Sequence, residues 1–139
     1  MNTYIGNRLI KAQPMTRAGY NAMRGWNLPA DENGTDLGYL TEDPKGADNT
    51  LAYKGHVSWL PKLNFECEFT DLGDLSAKPP HEQRLHGELA QLHEKLSGLL
   101  AFIKSDHFFK LAYKQRELML EQSRVMTRYV FILEDRISN

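Results

Sequence analysis

Two arginines in the last third of the chain have the residue type and spacing of an anion-binding pair. Arg124 and Arg128 are four positions apart in a segment rich in helix-forming residues, so a helix places both side chains on one face. Planar guanidinium groups bind phosphate through paired hydrogen bonds and stack on nucleobases. From Lys110 to Arg128 there are five cationic residues and two glutamates, a local charge of +3. This face suits an anionic ligand, but Glu117 and Glu121 are also spaced to pair with Arg124 on a solvated surface.

Aromatic residues near these cations offer a stacking surface. Phe102, Phe108 and Phe109 cluster around a predicted helical turn, and Tyr129 lies on the arginine segment itself. Trp26 marks a second aromatic position in the N-terminal part. Purines stack on aromatic rings with about 1–3 kcal/mol per base. The same rings can belong to a hydrophobic core, and this alternative is strongest for Phe102.

Other reactive side chains give weaker signals. His81, His86 and His93 are five and seven residues apart, whereas zinc-binding histidines on one helix are typically four apart, so we expect no metal site. Cys67 lies between two glutamates, whose negative charge disfavours a reactive thiolate. A lone cysteine in a predicted strand is typically a small buried residue. No nucleophile-elbow, Walker or dinucleotide-binding motif is present.

The acidic loop is the one feature that favours an enzyme. Asp31, Glu32 and Asp36 could bind a divalent cation, but such residues also stabilise turns. We therefore expect a non-catalytic protein with no cofactor. A nucleotide phosphodiesterase that acts through this loop is the enzymatic alternative.

The composition excludes several classes of protein. A formal net charge of −1 argues against a protein that coats DNA or RNA through bulk charge. Cys67 is the only cysteine, so an internal disulfide is impossible, which suits a reducing cytosol. The first residues lack the apolar run of a signal peptide, and no segment approaches the roughly 20 apolar residues that span a bilayer. We expect a cytoplasmic protein with no membrane contact.

The chain changes character at residues 73–80, where one glycine and two prolines interrupt regular structure. We expect an α+β fold with a mixed N-terminal module over residues 1–73, a linker over residues 74–80 and a helical hairpin over residues 81–139. Each module alone is small, so association between copies would help to stabilise both.

Leucine spacing predicts that the C-terminal part is a pair of antiparallel helices. The first helix is expected to end near Lys104, and Ser105-Asp106 supplies N-cap residues for the second. Two helices alone leave one flank of each apolar seam exposed, so the N-terminal module or another copy must cover it. The first seam comprises Leu85, Leu89, Leu92, Leu96, Leu99 and Ile103. The second comprises Leu111, Leu118, Val125, Tyr129 and Ile132, with Met126, Leu133 and Ile137 beside it.

The N-terminal module is predicted to be a small antiparallel sheet with one helix against it. Thr16 as N-cap and Gly25 as C-terminal stop bound a short helix over Arg17–Arg24. Pro61 is expected to begin a second short helix. The expected strands are residues 4–12, 39–40, 53–59 and 66–72, with loops over residues 28–38 and 43–49.

The segment over about residues 79–137 contains PPHEQRL, KLSGLLAFIKSDHFFKL and ELMLEQSRVMTRYVFILEDRI. It resembles the helical hairpin shared by two phage counter-defence families, the Thoeris anti-defence sponge and the anti-CBASS cyclic-oligonucleotide sponge. The matching positions are His81, Gln83, Arg84, Leu92, Phe102, Ile103, Phe108, Leu118, Gln122, Met126, Tyr129, Ile132, Leu133, Arg136 and Ile137.

The N-terminal part resembles a module common in phage and prophage proteins. It has MRGW at Met23–Trp26 and SWLPK at Ser58–Lys62, where the usual forms are YRGW and SWSPK. An N-terminal module followed by a hairpin is the layout of the Thoeris-type sponge.

The resemblance implies a protein that binds glycocyclic ADP-ribose, and in many members cyclic di- or trinucleotides, without cleaving them. It also implies a homo-oligomer, a dimer or a hexamer assembled through the hairpin, in the cytoplasm of the infected or lysogenic host. Carried onto this chain, it implies phosphate contacts by Arg124 and Arg128, base stacking on Phe102 or Phe108, and closure of the pocket by Arg24 and Trp26. Arg84 is a further cation and Tyr129 a further aromatic candidate for the same ligand. The remaining alternative is a phage structural or assembly protein whose hairpin only oligomerises.

Overall fold

The computed structural model describes all residues 1–139 and separates them into two compact units, Met1–Thr70 and Asp71–Asn139. The α+β fold class is confirmed. The first unit contains β1 (Lys11–Pro14), α1 (Arg17–Arg24), β2 (Gly38–Asp43), β3 (His56–Pro61) and α2 (Lys62–Glu68). The second contains α3 (Pro80–Ile103), α4 (Asp106–Phe109) and α5 (Tyr113–Ser138). No helix is both long enough and apolar enough to cross a membrane.

The first unit is built on a three-stranded antiparallel sheet in the order β1-β2-β3. Its core consists of Tyr20 from α1, Leu40 from β2 and Val57 from β3. The predicted bounds of α1 are confirmed. The Thr16 hydroxyl accepts a hydrogen bond from the Gly19 N–H at 3.1 Å, and Gly25 adopts a left-handed φ of 73°, which ends the helix.

Two strands predicted in this unit are wrong in extent or type. The first is shorter than residues 4–12 and covers only Lys11–Pro14. The segment over residues 66–72 does not return as a strand, because α2 continues to Glu68. The helix brings Phe65 and Phe69 into one row of rings, with Tyr39 4.1 Å from Phe65 and Phe65 5.0 Å from Phe69 between centroids. Cys67 consequently lies exposed on a helix rather than buried in a strand.

The second unit is an antiparallel pair of long helices, α3 and α5. Pro80 occupies the first turn of α3, where its missing N–H costs nothing, and Lys104 caps the helix where the sequence predicts its end. Residues from the start of α3 and the end of α5 line one cleft, which fixes the antiparallel arrangement. The core between the helices is formed by Leu85, Leu92, Leu96, Val130 and Leu133.

The second long helix differs from its prediction in two respects. Ser105 caps only the single turn of α4, and α5 begins at Tyr113. The face of α5 that packs on α3 carries Val130 and Leu133 with Met126 and Ile137, not the predicted seam. We call the remaining apolar residues of that seam on α5 the outer stripe. Leu118, Val125, Tyr129 and Ile132 form the outer stripe and are between 38% and 62% exposed.

Candidate ligand-binding surface of the helical hairpin

Arg124 and Arg128 lie on α5 one turn apart, and both are exposed. Neither guanidinium group lies within 4.0 Å of a carboxylate oxygen of the chain. The pairing with Glu117 or Glu121 that the sequence allows is therefore absent. Both groups are available to an anion without first breaking an ion pair.

The outer stripe runs beside this arginine pair. Arg128 is three residues after Val125 and four before Ile132, so its side chain neighbours both on the helix surface. Apolar side chains in a contiguous exposed row are typical of an interaction surface. The cationic pair and the apolar row thus form one continuous surface of α5.

Tyr129 belongs to the outer stripe, but its polar end is fixed. Its hydroxyl donates a hydrogen bond to the Glu88 carboxylate of α3. The aromatic ring remains partly exposed. Tyr129 can therefore offer a ring edge to a ligand or to a partner helix while its hydroxyl ties α5 to α3.

The aromatic residues at the hairpin turn are not equally accessible. Phe108 is 6% exposed and belongs to the packed interior, so its ring offers little surface to a base. Phe109 is 66% exposed and meets Phe108 edge-to-face at 5.5 Å between centroids. Phe102 is half-buried near the end of α3. Sequence reasoning did not select Phe109, because two adjacent phenylalanines in a turn carry no signal for which one is buried.

Distance along α5 separates the turn from the arginine pair. At about 1.5 Å per residue, Arg124 lies about 16 Å and Arg128 about 22 Å from Tyr113 at the start of the helix. Phe108 and Phe109 precede that start. Within one chain, the structure does not bring Phe108 or Phe109 to Arg128.

The remaining predicted cations and rings lie elsewhere. Arg24 and Trp26 are in the first unit, where the guanidinium of Arg24 lies 4.3 Å from the Trp26 ring centroid and donates to the Tyr20 hydroxyl at 3.3 Å. Trp26 is half exposed. Arg84 is exposed on α3 and forms no ion pair.

The acidic loop is occupied by an arginine. Arg17 contacts Glu32 at 3.1 Å and Asp36 at 3.9 Å, and its guanidinium lies 4.5 Å from the Trp59 ring centroid. A cation placed between the loop carboxylates competes with a divalent metal ion for them. The structure contains no group of three or more histidine, cysteine or acidic side chains that could hold a metal ion.

Comparison with protein families gives one match, to the Sequestin family, over residues 79–139. No curated protein and no solved structure matches the chain. The matched residues contain α3, α4 and α5, and with them the arginine pair and the outer stripe. The match supports the sponge-type assignment that the sequence resemblance implied, and with it a sequestering function. Residues 79–139 of this chain are thus similar to the Sequestin family.

Proposed function

We propose that this chain is a phage anti-defence protein that binds a cyclic nucleotide immune signal and holds it without cleaving it. The proposed ligands are glycocyclic ADP-ribose and, as further candidates, cyclic di- or trinucleotides. The protein would act in the cytoplasm of the bacterial host, where such signals are made.

The observation that carries this proposal is the pair of unpaired guanidinium groups on α5. Positions i and i+4 of a helix have Cβ atoms about 5–6 Å apart, so Arg124 and Arg128 can reach one pyrophosphate or two phosphodiester groups of one small ring. Cyclic nucleotide signals carry such groups at short separation. A DNA or RNA strand is not required for this contact.

A second copy of the chain would complete the site. Covering the outer stripe with the same helix of another copy removes apolar surface from water and places Arg128 at the rim of the new interface. Pockets that enclose small ligands are commonly formed at such junctions. We therefore propose a homo-oligomer, a dimer or a hexamer, with the ligand held between copies.

Sequestration requires fewer functional groups in a binding site than catalysis does. It requires affinity and slow release, and it needs neither a nucleophile nor a general base aligned with the ligand. Arginines supply hydrogen bonds and charge but do not exchange protons near neutral pH. The residues of this surface are thus suited to holding a ligand rather than turning it over.

Titration calorimetry tests the proposal directly. The ligands are glycocyclic ADP-ribose, a cyclic dinucleotide and a cyclic trinucleotide, and the proteins are the wild type, Arg124→Gln, Arg128→Gln and, as a control, Lys114→Gln. We expect at least one ligand to bind, and each arginine substitution to weaken binding by about 1.5–3 kcal/mol, tenfold or more. The control should change affinity less than about threefold. No binding of any ligand, or unchanged affinity in both arginine variants, contradicts the proposal.

The outer stripe also favours a second candidate, an assembly protein whose hairpin only oligomerises. This candidate predicts that Arg124→Gln and Arg128→Gln leave every function intact, while loss of the stripe abolishes function. Calorimetry and the assembly measurements described below therefore separate the two candidates.

A further inference from the structure

The open end of the hairpin contains a cleft that is separate from the arginine pair. Its volume is about 240 Å³, and it is lined by His81, Glu82, Leu85, His86, Arg136, Ile137 and Asn139. We propose that this cleft is a second anion site, which takes a single phosphate group. The site goes beyond the proposed function, since it uses none of the residues assigned to the signal.

Arg136 supplies the cleft with a guanidinium group that no carboxylate of the chain has engaged. Arg136 has no carboxylate oxygen within 4.0 Å, although two acidic residues precede it directly in the sequence. One of them, Glu134, faces His93 at 3.5 Å instead. The only acidic side chain that lines the cleft is Glu82, which is paired with Lys78 at 3.6 Å. Arg136 is therefore the one charged side chain of the cleft that has no ion-pair partner.

The hydrogen-bond donors of the cleft match a phosphate group. Arg136 presents a planar fork of N–H groups, and each imidazole of His81 and His86 can donate an N–H whether it is neutral or protonated. Leu85 is buried, and its side chain with that of Ile137 supplies an apolar wall that strengthens electrostatic contacts beside it. The first turn of α3 adds the positive end of its helix dipole.

Size and position restrict the ligand. A volume of about 240 Å³ lies below the roughly 300–1,000 Å³ of pockets that enclose drug-sized molecules, but the cleft is large enough for a small anion such as a phosphate group. Arg136 is eight residues beyond Arg128 on α5, about 12 Å further along the axis. The cleft and the arginine pair are therefore independent sites.

Nuclear magnetic resonance on the full-length protein tests this site, with inorganic phosphate and adenosine monophosphate as probes and sodium chloride at matched ionic strength as the control titrant. We expect saturable shifts of the His81 and His86 imidazole resonances with phosphate but not with chloride. Arg136→Gln should weaken phosphate binding about tenfold. In the variant with both Arg124→Gln and Arg128→Gln, phosphate should still shift the His81 and His86 resonances with the same midpoint, because neither arginine lines the cleft.

The proposal is overturned if phosphate causes no saturable shift, if chloride causes the same shift, or if Arg136→Gln binds phosphate as tightly as the wild type. Adenosine monophosphate that binds more than tenfold more tightly than phosphate also overturns it, since the cleft would then hold more than a phosphate group. The NMR experiment monitors the histidine resonances of the cleft, whereas calorimetry monitors ligand binding at Arg124 and Arg128. A negative result in one experiment therefore leaves the other proposal standing.

Discussion

The affinity of an arginine for a phosphate depends on what its guanidinium group has already bound. Arg17 would have to give up Glu32 and Asp36 before it could bind another anion. Arg124 and Arg128 are exposed and lack such partners, so they exchange only water for the ligand. This difference favours α5 over the acidic loop as the proposed anion-binding surface.

Replacing Arg128 by lysine separates charge from geometry. Arg128→Lys keeps the net charge but loses the planar fork that forms two parallel hydrogen bonds with phosphate. We expect the signal to bind about tenfold more weakly, by calorimetry, with the free energy of unfolding unchanged within about 0.5 kcal/mol. Lysine binding as tightly as arginine would show that only charge matters at this position.

For individual side chains, the sequence predicts which residue types can bind the ligand, but not which of them are accessible to it. The i and i+4 spacing of the arginines follows directly from the sequence. Whether Glu117 or Glu121 pairs with Arg124 does not, because both spacings allow it and the choice depends on side-chain placement. Phe108 and Phe109 are adjacent in sequence, yet only the second is exposed.

Helix α5 carries two apolar faces, and only one of them has a partner within the chain. Phe131, Ile132 and Leu133 are consecutive and have different environments: an exposed surface, the outer stripe and the core against α3, respectively. Periodicity alone does not distinguish the two faces, because both have helical spacings, and the seam predicted from it contained the outer stripe. Packing settles the choice, since the face with Val130 and Leu133 meets the leucines of α3.

Leu133 is the most deeply buried residue of the hairpin, at 0% exposure. Leu133→Ala should lower the free energy of unfolding by about 2–5 kcal/mol, because it removes apolar contacts and leaves a cavity. Urea denaturation followed by circular dichroism measures this loss. Phe131→Ala is the matched control on the same helix and should cost well under half as much, so equal losses would contradict the assignment of the core face.

Ile132 tests whether the outer stripe is an interface. Ile132→Ser should shift the protein towards smaller assemblies in sedimentation velocity, because it removes apolar surface that a second copy would bury. Phe131→Ser removes a larger exposed apolar side chain outside the stripe and should leave the assembly unchanged. An identical sedimentation profile for wild type and Ile132→Ser would argue against self-association through this face.

The whole molecule consists of two units of about 70 residues each. Units of this size bury a modest fraction of their surface and are marginally stable alone, so association between copies would add to their stability. The break in composition at residues 73–80 predicts a boundary within this segment, because helix-breaking residues are concentrated there and apolar side chains are few. How the units are arranged in an assembly does not follow from these patterns.

Limited proteolysis tests this division. Most residues between Asp71 and Pro79 are exposed and lie outside any helix or strand. A broad-specificity protease should therefore cut first in this segment and release two fragments of similar mass, identified by mass spectrometry. First cuts within α3 or α5 would contradict the division.

If the protein holds an anionic signal intact, as proposed, the bound ligand can be recovered unaltered. The protein is mixed with glycocyclic ADP-ribose or a cyclic oligonucleotide, freed of unbound ligand by filtration and then denatured by heat, and the released small molecules are identified by mass spectrometry. We predict that the wild type releases unaltered ligand and that the variant with both Arg124→Gln and Arg128→Gln retains almost none. Release of a cleaved product, or equal retention by the double variant, would contradict the claim.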